Sequence, residues 1–205
     1  MPFLDEIIDQ IIINLKQTAL SDVVFQKSRF VGLTDMAYKK ESEDVVRKAP
    51  FDLTDNTYVV PDDEHPMLMY FKCFNEQHKE VASGGDGNKS LQDTVNVSML
   101  VFGFYDKIKI NPRQLNAIII DAIQNNIPLK NNDNKIILKA TVKPEETNYN
   151  TKDLCDREFG VENGIFFIEP GNFFFEVKLK IESVYTKGCF TICNCENLKT
   201  KKNGR

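Results

Sequence analysis

A glycine-rich run is the first stretch of the sequence whose residue types could bind a ligand. Residues 82–90 read ASGGDGNKS, and three glycines followed by Lys-Ser are typical of loops that hold nucleotide phosphates. That pattern requires a glycine directly before Lys89, but Asn88 stands there. It also requires a helix after the loop, whereas the residues that follow have the pattern of a strand. We therefore interpret the run as the tip of a hairpin and predict no nucleotide cofactor.

The other reactive side chains do not form a complete catalytic or metal-binding pattern. Residues 62–65, Asp-Asp-Glu-His, stand between two prolines, so a solvated turn is favoured over a divalent-ion site. Cys189, Cys193 and Cys195 have a spacing that suggests zinc, but zinc sites normally use four nitrogen or sulfur ligands. The sequence has two histidines and no Gly-x-Ser-x-Gly motif. We expect free thiols, no metal and no catalytic residues.

The length and net charge of the chain limit the classes of protein to which it can belong. The chain has 205 residues and a net charge of −4, which suits one globular domain and gives no general attraction to nucleic acid. We predict a single domain over residues 1–198 and a flexible basic tail over residues 199–205. The apolar runs are far shorter than the about 20 residues that cross a membrane. Because the acidic N-terminus lacks the basic region of a signal peptide, we expect folding in a cytoplasm without a membrane partner.

Apolar spacing predicts the elements that would position these residues. Residues 3–18 are predicted to form a helix because their apolar residues recur at helical spacing: Leu4, Ile7, Ile8, Ile11, Ile12 and Leu15. Residues 111–125 are predicted to form a second helix, since Asn111 is a favourable N-cap and Pro112 a favourable first residue. A shorter helix is predicted over residues 151–159.

Alternation and apolar runs predict the strands, which are expected at residues 22–32, 57–60, 66–74, 95–105, 135–143, 164–168 and 172–185. The last of these alternates apolar and charged residues, so we expect one face on the core and one in water. Residues 33–56 are predicted to be a loop or a small excursion with a helix, and residues 76–94 a long mobile hairpin loop. The predicted fold class is α+β: a mostly antiparallel sheet with the two longer helices packed on one face.

Two groups of residues are predicted to contact a protein partner. The first is the hairpin tip, which supplies Gly84, Gly85, Asp86, Gly87, Asn88 and Lys89. The second is aromatic: Phe174 falls among the charged residues of its strand, and either Phe166 or Phe167 must point away from its neighbour. Exposed aromatic side chains in a polar surround favour protein contacts. Packing in the core is the alternative for all three phenylalanines.

The order of these elements resembles a known family. The predicted strand VNVSMLVFGFY is followed by the helix PRQLNAIIIDAIQ, and the amphipathic helix FLDEIIDQIIINLKQ opens the chain. A strand pair with a long loop lies between the first helix and the second. This order, over residues 1–143, resembles the tail terminator, tail completion and head–tail joining proteins of tailed bacteriophages. A bias toward Asn, Ile and Lys would suit a phage of an AT-rich host, such as the crAss-like phages.

The resemblance implies a function without catalysis. It implies a structural virion protein of the neck or tail, assembled in the host cytoplasm into a homo-oligomeric ring of six or twelve subunits. The ring would contact neighbouring neck or tail proteins and would surround DNA that passes through it as cargo. The alternatives are a soluble adaptor domain that holds a protein partner and, third, an enzyme acting on a small molecule.

Overall fold

A computed structural model describes residues 3–40, 46–52, 54–82, 89–123, 126–130, 136–160 and 171–186. Within these residues the helices are α1 (Leu4–Gln17), α2 (Val23–Gln26), α3 (Tyr105–Ile108), α4 (Pro112–Ala122) and α5 (Thr151–Phe159). The strands are β1 (Arg29–Leu33), β2 (Asp35–Lys40), β3 (Val46–Asp52), β4 (Thr57–Tyr58), β5 (Met67–Ala82), β6 (Lys89–Phe104), β7 (Asn126–Lys130), β8 (Ile136–Asn148) and β9 (Asn172–Thr186).

The described strands form two sheets. The larger has six strands in the order β1-β5-β6-β9-β8-β7, and the smaller has three in the order β2-β3-β4. All neighbouring pairs are antiparallel except β1 and β5, which are parallel. The predicted fold class, α+β with a mostly antiparallel sheet, is confirmed.

Both longer helices form where the spacing predicts them and pack on one face of the large sheet, which we call the first face. The isoleucine stripe of α1 is buried there together with Leu115 and Ile119 of α4. Asn111 caps α4, since its side chain accepts a hydrogen bond from the Arg113 backbone N–H at 2.9 Å. The sheet contributes the alternate residues of β5, β6 and β9 to the same core.

The opposite, second face of the large sheet carries another core, which the sequence did not predict. There α5 and the small sheet cover Leu68, Leu100 and Phe102. The expectation that one face of residues 172–185 lies in water is therefore wrong for the first part of β9. Phe174 and Glu176 project from that face and are buried, since α5 packs against β9.

Three of the predicted loops and strands need correction. Residues 35–40 and 46–52, predicted as part of a loop, form the β2–β3 pair, and the predicted strand at 22–32 is α2 followed by β1. The predicted hairpin loop at 76–94 is also wrong in extent, because β5 continues to Ala82 and β6 begins at Lys89. These strands were not predicted because they are rich in polar residues. Apolar and polar residues alternate only where one face of a strand is buried and the other is exposed. The predicted strand at 164–168 lies outside the described residues.

Candidate functional site

The first candidate site is a set of hydrogen-bonded polar and charged groups on the second face, which we call the glutamate network; its two carboxylates are buried and its two cations are partly exposed. Its members come from three strands and one helix: Tyr70, Lys72, Ser98, Arg157, Glu158 and Glu176. They lie far apart in the sequence, since Lys72 and Glu158 are 86 positions apart. Folding of α5 onto the sheet brings them together.

Helix α5 is held on the sheet by polar contacts at its beginning. The Asn150 side chain accepts a hydrogen bond from the Asp153 backbone N–H at 3.4 Å, which caps the helix. The Thr151 hydroxyl donates to the Phe174 carbonyl at 3.2 Å and accepts from the Phe174 N–H at 3.1 Å. Helical spacing then places Glu158 on the buried side of α5, beside Leu154 and Phe159.

Glu158 is fully buried and accepts hydrogen bonds from three different side chains. Lys72 Nζ lies 2.9 Å from its Oε2 atom, Arg157 Nε lies 2.7 Å from Oε1, and the Tyr70 hydroxyl lies 3.3 Å from Oε2. A buried carboxylate is tolerated when its oxygens are paired and hydrogen-bonded in this way. Glu158 therefore links β5 to α5.

Glu176 is the second buried carboxylate of the network. It accepts a hydrogen bond from Arg157 Nη1 at 3.0 Å and another from the Ser98 hydroxyl. Burial raises the pKa of Glu176, but the hydrogen bonds from Arg157 and Ser98 outweigh burial, and the net pKa lies below its ordinary value. Burial lowers the pKa of Arg157, but the hydrogen bonds to Glu176 and Glu158 outweigh burial, and the net pKa of Arg157 is raised. Both groups are therefore charged at neutral pH.

Tyr70 of the network and Cys155, on the same helix as Glu158, are held in their neutral forms. Burial, with the adjacent charge of Glu158, raises the pKa of Tyr70 well above its usual range. Burial, with the charge of Asp156, raises the pKa of the Cys155 thiol to about 12. A thiol with such a pKa is a poor nucleophile at neutral pH. The network thus contains two paired cations and two paired carboxylates, an arrangement suited to holding α5 in place.

A cavity of about 280 Å³ opens beside the network. Phe74, Asn96, Arg157, Glu176 and Lys178 are among its lining residues. Within the described part of the chain, the buried Nη2 atom of Arg157 has no hydrogen-bond partner. The cavity mixes an exposed aromatic ring with charged groups, which suits a peptide or protein contact.

The second candidate site, the His78 cluster, lies on the first face. It consists of Glu76 and His78 on β5 and Asp93 on β6, and one ligand atom from each lies within 4.8 Å of the other two. Among the described residues these three side chains are the group that could hold a metal ion.

The third candidate is the part of β5 beyond Lys72. We call residues 67–71 the inner half of β5 and residues 73–80 the outer half. Every residue of the inner half is buried, and every residue of the outer half is exposed. β1 pairs with β5 in the inner half, between Leu68 and Phe71. Across the described residues, no strand pairs with the other edge of the outer half.

Most of the residues predicted to contact a partner fall outside the described residues. These are Gly84, Gly85, Asp86, Gly87, Asn88, Phe166 and Phe167. Lys89 is the first residue of β6, and its backbone pairs with that of Ala82. Phe174 is 1 % exposed and packs against Tyr70, Phe102 and Phe159, so the prediction that it is an exposed anchor is wrong. Among the described residues, Phe74 is an aromatic residue that is exposed near this core.

The acidic run before β5 forms the predicted turn. The backbone N–H groups of Glu64 and His65 both donate to Asp62 Oδ1 at 3.0 Å, and His65 Nδ1 lies 2.6 Å from the same oxygen. This is the Asx-type geometry expected of Asp in a turn. Burial raises the pKa of Asp62, but the contacts with His65 outweigh burial and lower it.

Sequence reasoning missed the functional groups of both polar clusters. Two signals pointed to the glutamate network: Glu158 stands at an apolar-face position of its helix, and Glu176 follows directly after three phenylalanines. The signal for the His78 cluster was the alternation of Glu76, His78 and Glu80 on one side of a strand. It was overlooked because residues 76–94 were interpreted as a loop.

Comparison with known proteins does not assign the chain to a family. No protein-family model matches the chain, and no curated protein matches it. Among the described helices, none is long and apolar enough to cross a membrane.

Proposed function

We propose that this protein is a structural subunit of a tailed-bacteriophage virion that assembles into a homo-oligomeric ring at the head–tail junction or the tail tube. The observation that carries the proposal is the outer half of β5. It is a strand that extends beyond the core, exposes its side chains on both faces and leaves one backbone edge without a strand partner among the described residues.

A strand edge of this kind is suited to contact with another chain. Its N–H and C=O groups can pair with an extended segment of a neighbour, which is the mode of β-strand addition. Phe74 adds an exposed ring, 55 % accessible, beside the cavity on the second face. Backbone pairing would give affinity, and the ring and the cavity would give specificity.

The two sides of the large sheet are formed by different strands, so a contact between adjacent copies can join unlike surfaces. The outer half of β5 lies toward one side of the six-stranded sheet, and β7 forms the other side. Contacts between unlike surfaces are head-to-tail, and they close into a ring when the rotation between copies divides a full turn. Neighbouring neck or tail proteins would stack on the ring. A net charge of −4 gives little general affinity for phosphate, so DNA could pass through as cargo.

Native mass spectrometry and electron microscopy of the purified chain test this proposal. We expect closed rings of six or twelve subunits. Phe74→Glu is expected to shift the population to monomers, because it places a charge in the contact. Tyr38→Glu is the matched control, since Tyr38 is an aromatic residue on the small sheet that is even more exposed, 69 % against 55 % for Phe74. A monomer at every concentration, or a ring that Phe74→Glu leaves intact, would contradict the proposed contact.

A second function has one observation in its favour. The outer half carries Glu76, Lys79 and Glu80, and charged residues on an edge strand oppose pairing between identical chains. The same edge could then accept a segment of a different protein, as in a soluble adaptor domain. The mass measurement distinguishes the two functions, because an adaptor remains monomeric at concentrations at which a ring subunit assembles.

A further inference from the structure

We propose that Glu76, His78 and Asp93 form a binding site for a divalent first-row transition-metal ion, of which Zn²⁺ is the best fit. The site lies on the first face at the outer half of β5. It is independent of the glutamate network, which lies on the second face.

A bulge in β5 places the three side chains together. The pairing of β5 with β6 shifts between Cys73 and Asn75, so Phe74 is an extra residue. Before the bulge, odd-numbered residues of β5 face the first core, whereas beyond it His78 pairs with Asp93. Asp93 alternates with Val95 and Val97, which face the first core. Glu76 and His78 therefore lie on the same face as Asp93.

The distances and donor types suit a small metal ion. His78 Nδ1 lies 2.7 Å from Asp93 Oδ1, which is a hydrogen-bond distance, and the other ring nitrogen, Nε2, lies 3.5 Å from Glu76 Oε1. One ion binds only one ring nitrogen, so it would replace one of these two contacts, and one ligand atom from each side chain already lies within 4.8 Å of the other two. Ligand atoms of a tetrahedral zinc ion are separated by about 3.3–3.6 Å, given zinc–ligand bonds of about 2.0–2.2 Å. An imidazole nitrogen favours zinc, nickel or copper over Mg²⁺ and Ca²⁺, which prefer oxygen ligands. Two carboxylates also balance the charge of a divalent ion.

One ligand of the cluster is buried and two are exposed, so the ion would have one rigidly held ligand and direct access from solvent. The Asp93 side chain is 0 % exposed, that of Glu76 is 33 % exposed and that of His78 is 59 % exposed. The inner ligand is therefore held by the sheet, and the two outer ligands face solvent. A fourth coordination position remains for water or for a group from another molecule.

A buried hydroxyl beside Asp93 is an independent sign of a ligand. Ser183 pairs directly with Asp93 in the register of β6 and β9, so both side chains project from the same face. Ser183 is 0 % exposed, and within the described residues its Oγ atom has no hydrogen-bond partner. Once one oxygen of Asp93 binds the ion, the hydroxyl can donate to the other oxygen. Metal-ligating carboxylates usually have such a donor behind them.

The two histidines of the chain provide an internal test of the site. His65 also pairs with a carboxylate, that of Asp62 at 2.6 Å, so it is a matched control for His78. The full chain, with labelled histidine rings and reduced thiols, is titrated with Zn²⁺ and followed by NMR. We expect the His78 ring signals to shift and saturate at one equivalent, while those of His65 stay in place. The variant His65→Gln assigns the two sets of signals.

Variants of the ligands complete the test. Glu76→Gln and Asp93→Asn are expected to weaken Zn²⁺ binding by at least tenfold, Ser183→Ala by about tenfold, and His65→Gln not at all. Far-UV circular dichroism checks that each variant is folded. If Asp93→Asn does not fold, Glu76→Gln still tests the site, because Glu76 is exposed and its substitution is not expected to disturb the core. Zn²⁺ binding that leaves the His78 ring unshifted, as binding by cysteines would, overturns the site. Equal affinity for Mg²⁺ overturns the assignment to a transition metal.

Discussion

The two halves of β5 form one continuous strand but have opposite surroundings. The inner half contributes Met67, Met69 and Phe71 to the first core and Leu68 and Tyr70 to the second, so both of its faces are covered. The outer half begins at the bulge and exposes every side chain up to Glu80. Neither half alternates between apolar and polar residues, for opposite reasons. The inner half is buried on both faces, and the outer half is exposed on both.

The comparison separates the residues that hold the fold from those available for binding. A buried strand contributes to the free energy of unfolding through apolar area removed from water, at about 25 cal/mol per Å². An exposed strand contributes little in this way, and its polar groups remain accessible to a ligand or a partner. The proposed ring contact and two of the three residues of the His78 cluster, Glu76 and His78, lie in the outer half. We therefore expect substitutions in the two halves to affect different measurements.

The largest expected effect comes from shortening a phenylalanine in the inner half. Phe71→Ala should lower the free energy of unfolding by about 3–5 kcal/mol, because Phe71 is fully buried in the first core. Phe74→Ala, three positions further along the same strand, is the matched control. Since Phe74 is mostly exposed, we expect a change within about 0.5 kcal/mol. Urea unfolding of the monomer, followed by circular dichroism at low protein concentration, measures both.

Equal costs for the two variants would contradict the division of β5. A large loss for Phe74→Ala in the monomer would mean that the outer half is covered within a single chain. A loss that appears only at concentrations where the chain associates would instead place Phe74 in a contact between copies.

A smaller effect is expected at the glutamate network, with a dependence on pH. Glu176→Gln should lower the free energy of unfolding by about 1.5–3 kcal/mol at pH 7, because it removes the negative charge and replaces one of the two acceptor oxygens, to which Arg157 and Ser98 donate, by an NH2 group. The folded-state pKa of Glu176 lies below its unfolded value of about 4.3. Its stabilisation is therefore complete above that unfolded value and is lost as the pH falls through the folded-state pKa. Thermal unfolding at several pH values measures this.

The matched variant for this pH dependence is Glu182→Gln. Glu182 also has a lowered pKa, through Lys180 and Lys143, but it is partly exposed on the same strand. Solvent screens its interactions, so we expect a much weaker loss between neutral and acid pH. If the two variants lose the same stability over the same pH range, burial of the network is not the cause.

Much of the first face could be predicted from the sequence, because its signals are local. The apolar stripe from Leu4 to Leu15 lies within α1, and the capping residues Asn111 and Pro112 lie at the beginning of α4. Both helices form where these signals predict them. The second core is different. Its covering elements, α5 and the small sheet, are short and polar on one side, and nothing in their sequence says which face they cover. Burial of Phe174 follows from that packing, so alternation along β9 alone placed it incorrectly.

The candidate sites were harder to predict because their residues meet across strands. His78 and Asp93 are 15 positions apart and touch through the register of β5 with β6. The bulge at Phe74 changes that register by one residue, which reverses the face of every residue beyond it. No local sequence pattern predicts the bulge. Without it, Asn75 and Gln77 would lie opposite Val95 and Asp93, in the positions of Glu76 and His78, and the chemistry of that face would differ.

The smallest expected effect comes from an exposed ion pair near the border between the two halves. Lys178 Nζ lies 2.7 Å from Glu146 Oε2, closer than Lys72 Nζ lies to Glu158, but both side chains are more than half exposed. A double-mutant cycle with Lys178→Ala and Glu146→Ala should therefore give a coupling of at most about 1 kcal/mol, which decreases with added salt. A coupling above about 2 kcal/mol that resists salt would mean that water is excluded from this pair. In a single chain the pair is open to solvent, so such a result at assembling concentrations would place Lys178 and Glu146 beneath a neighbouring subunit.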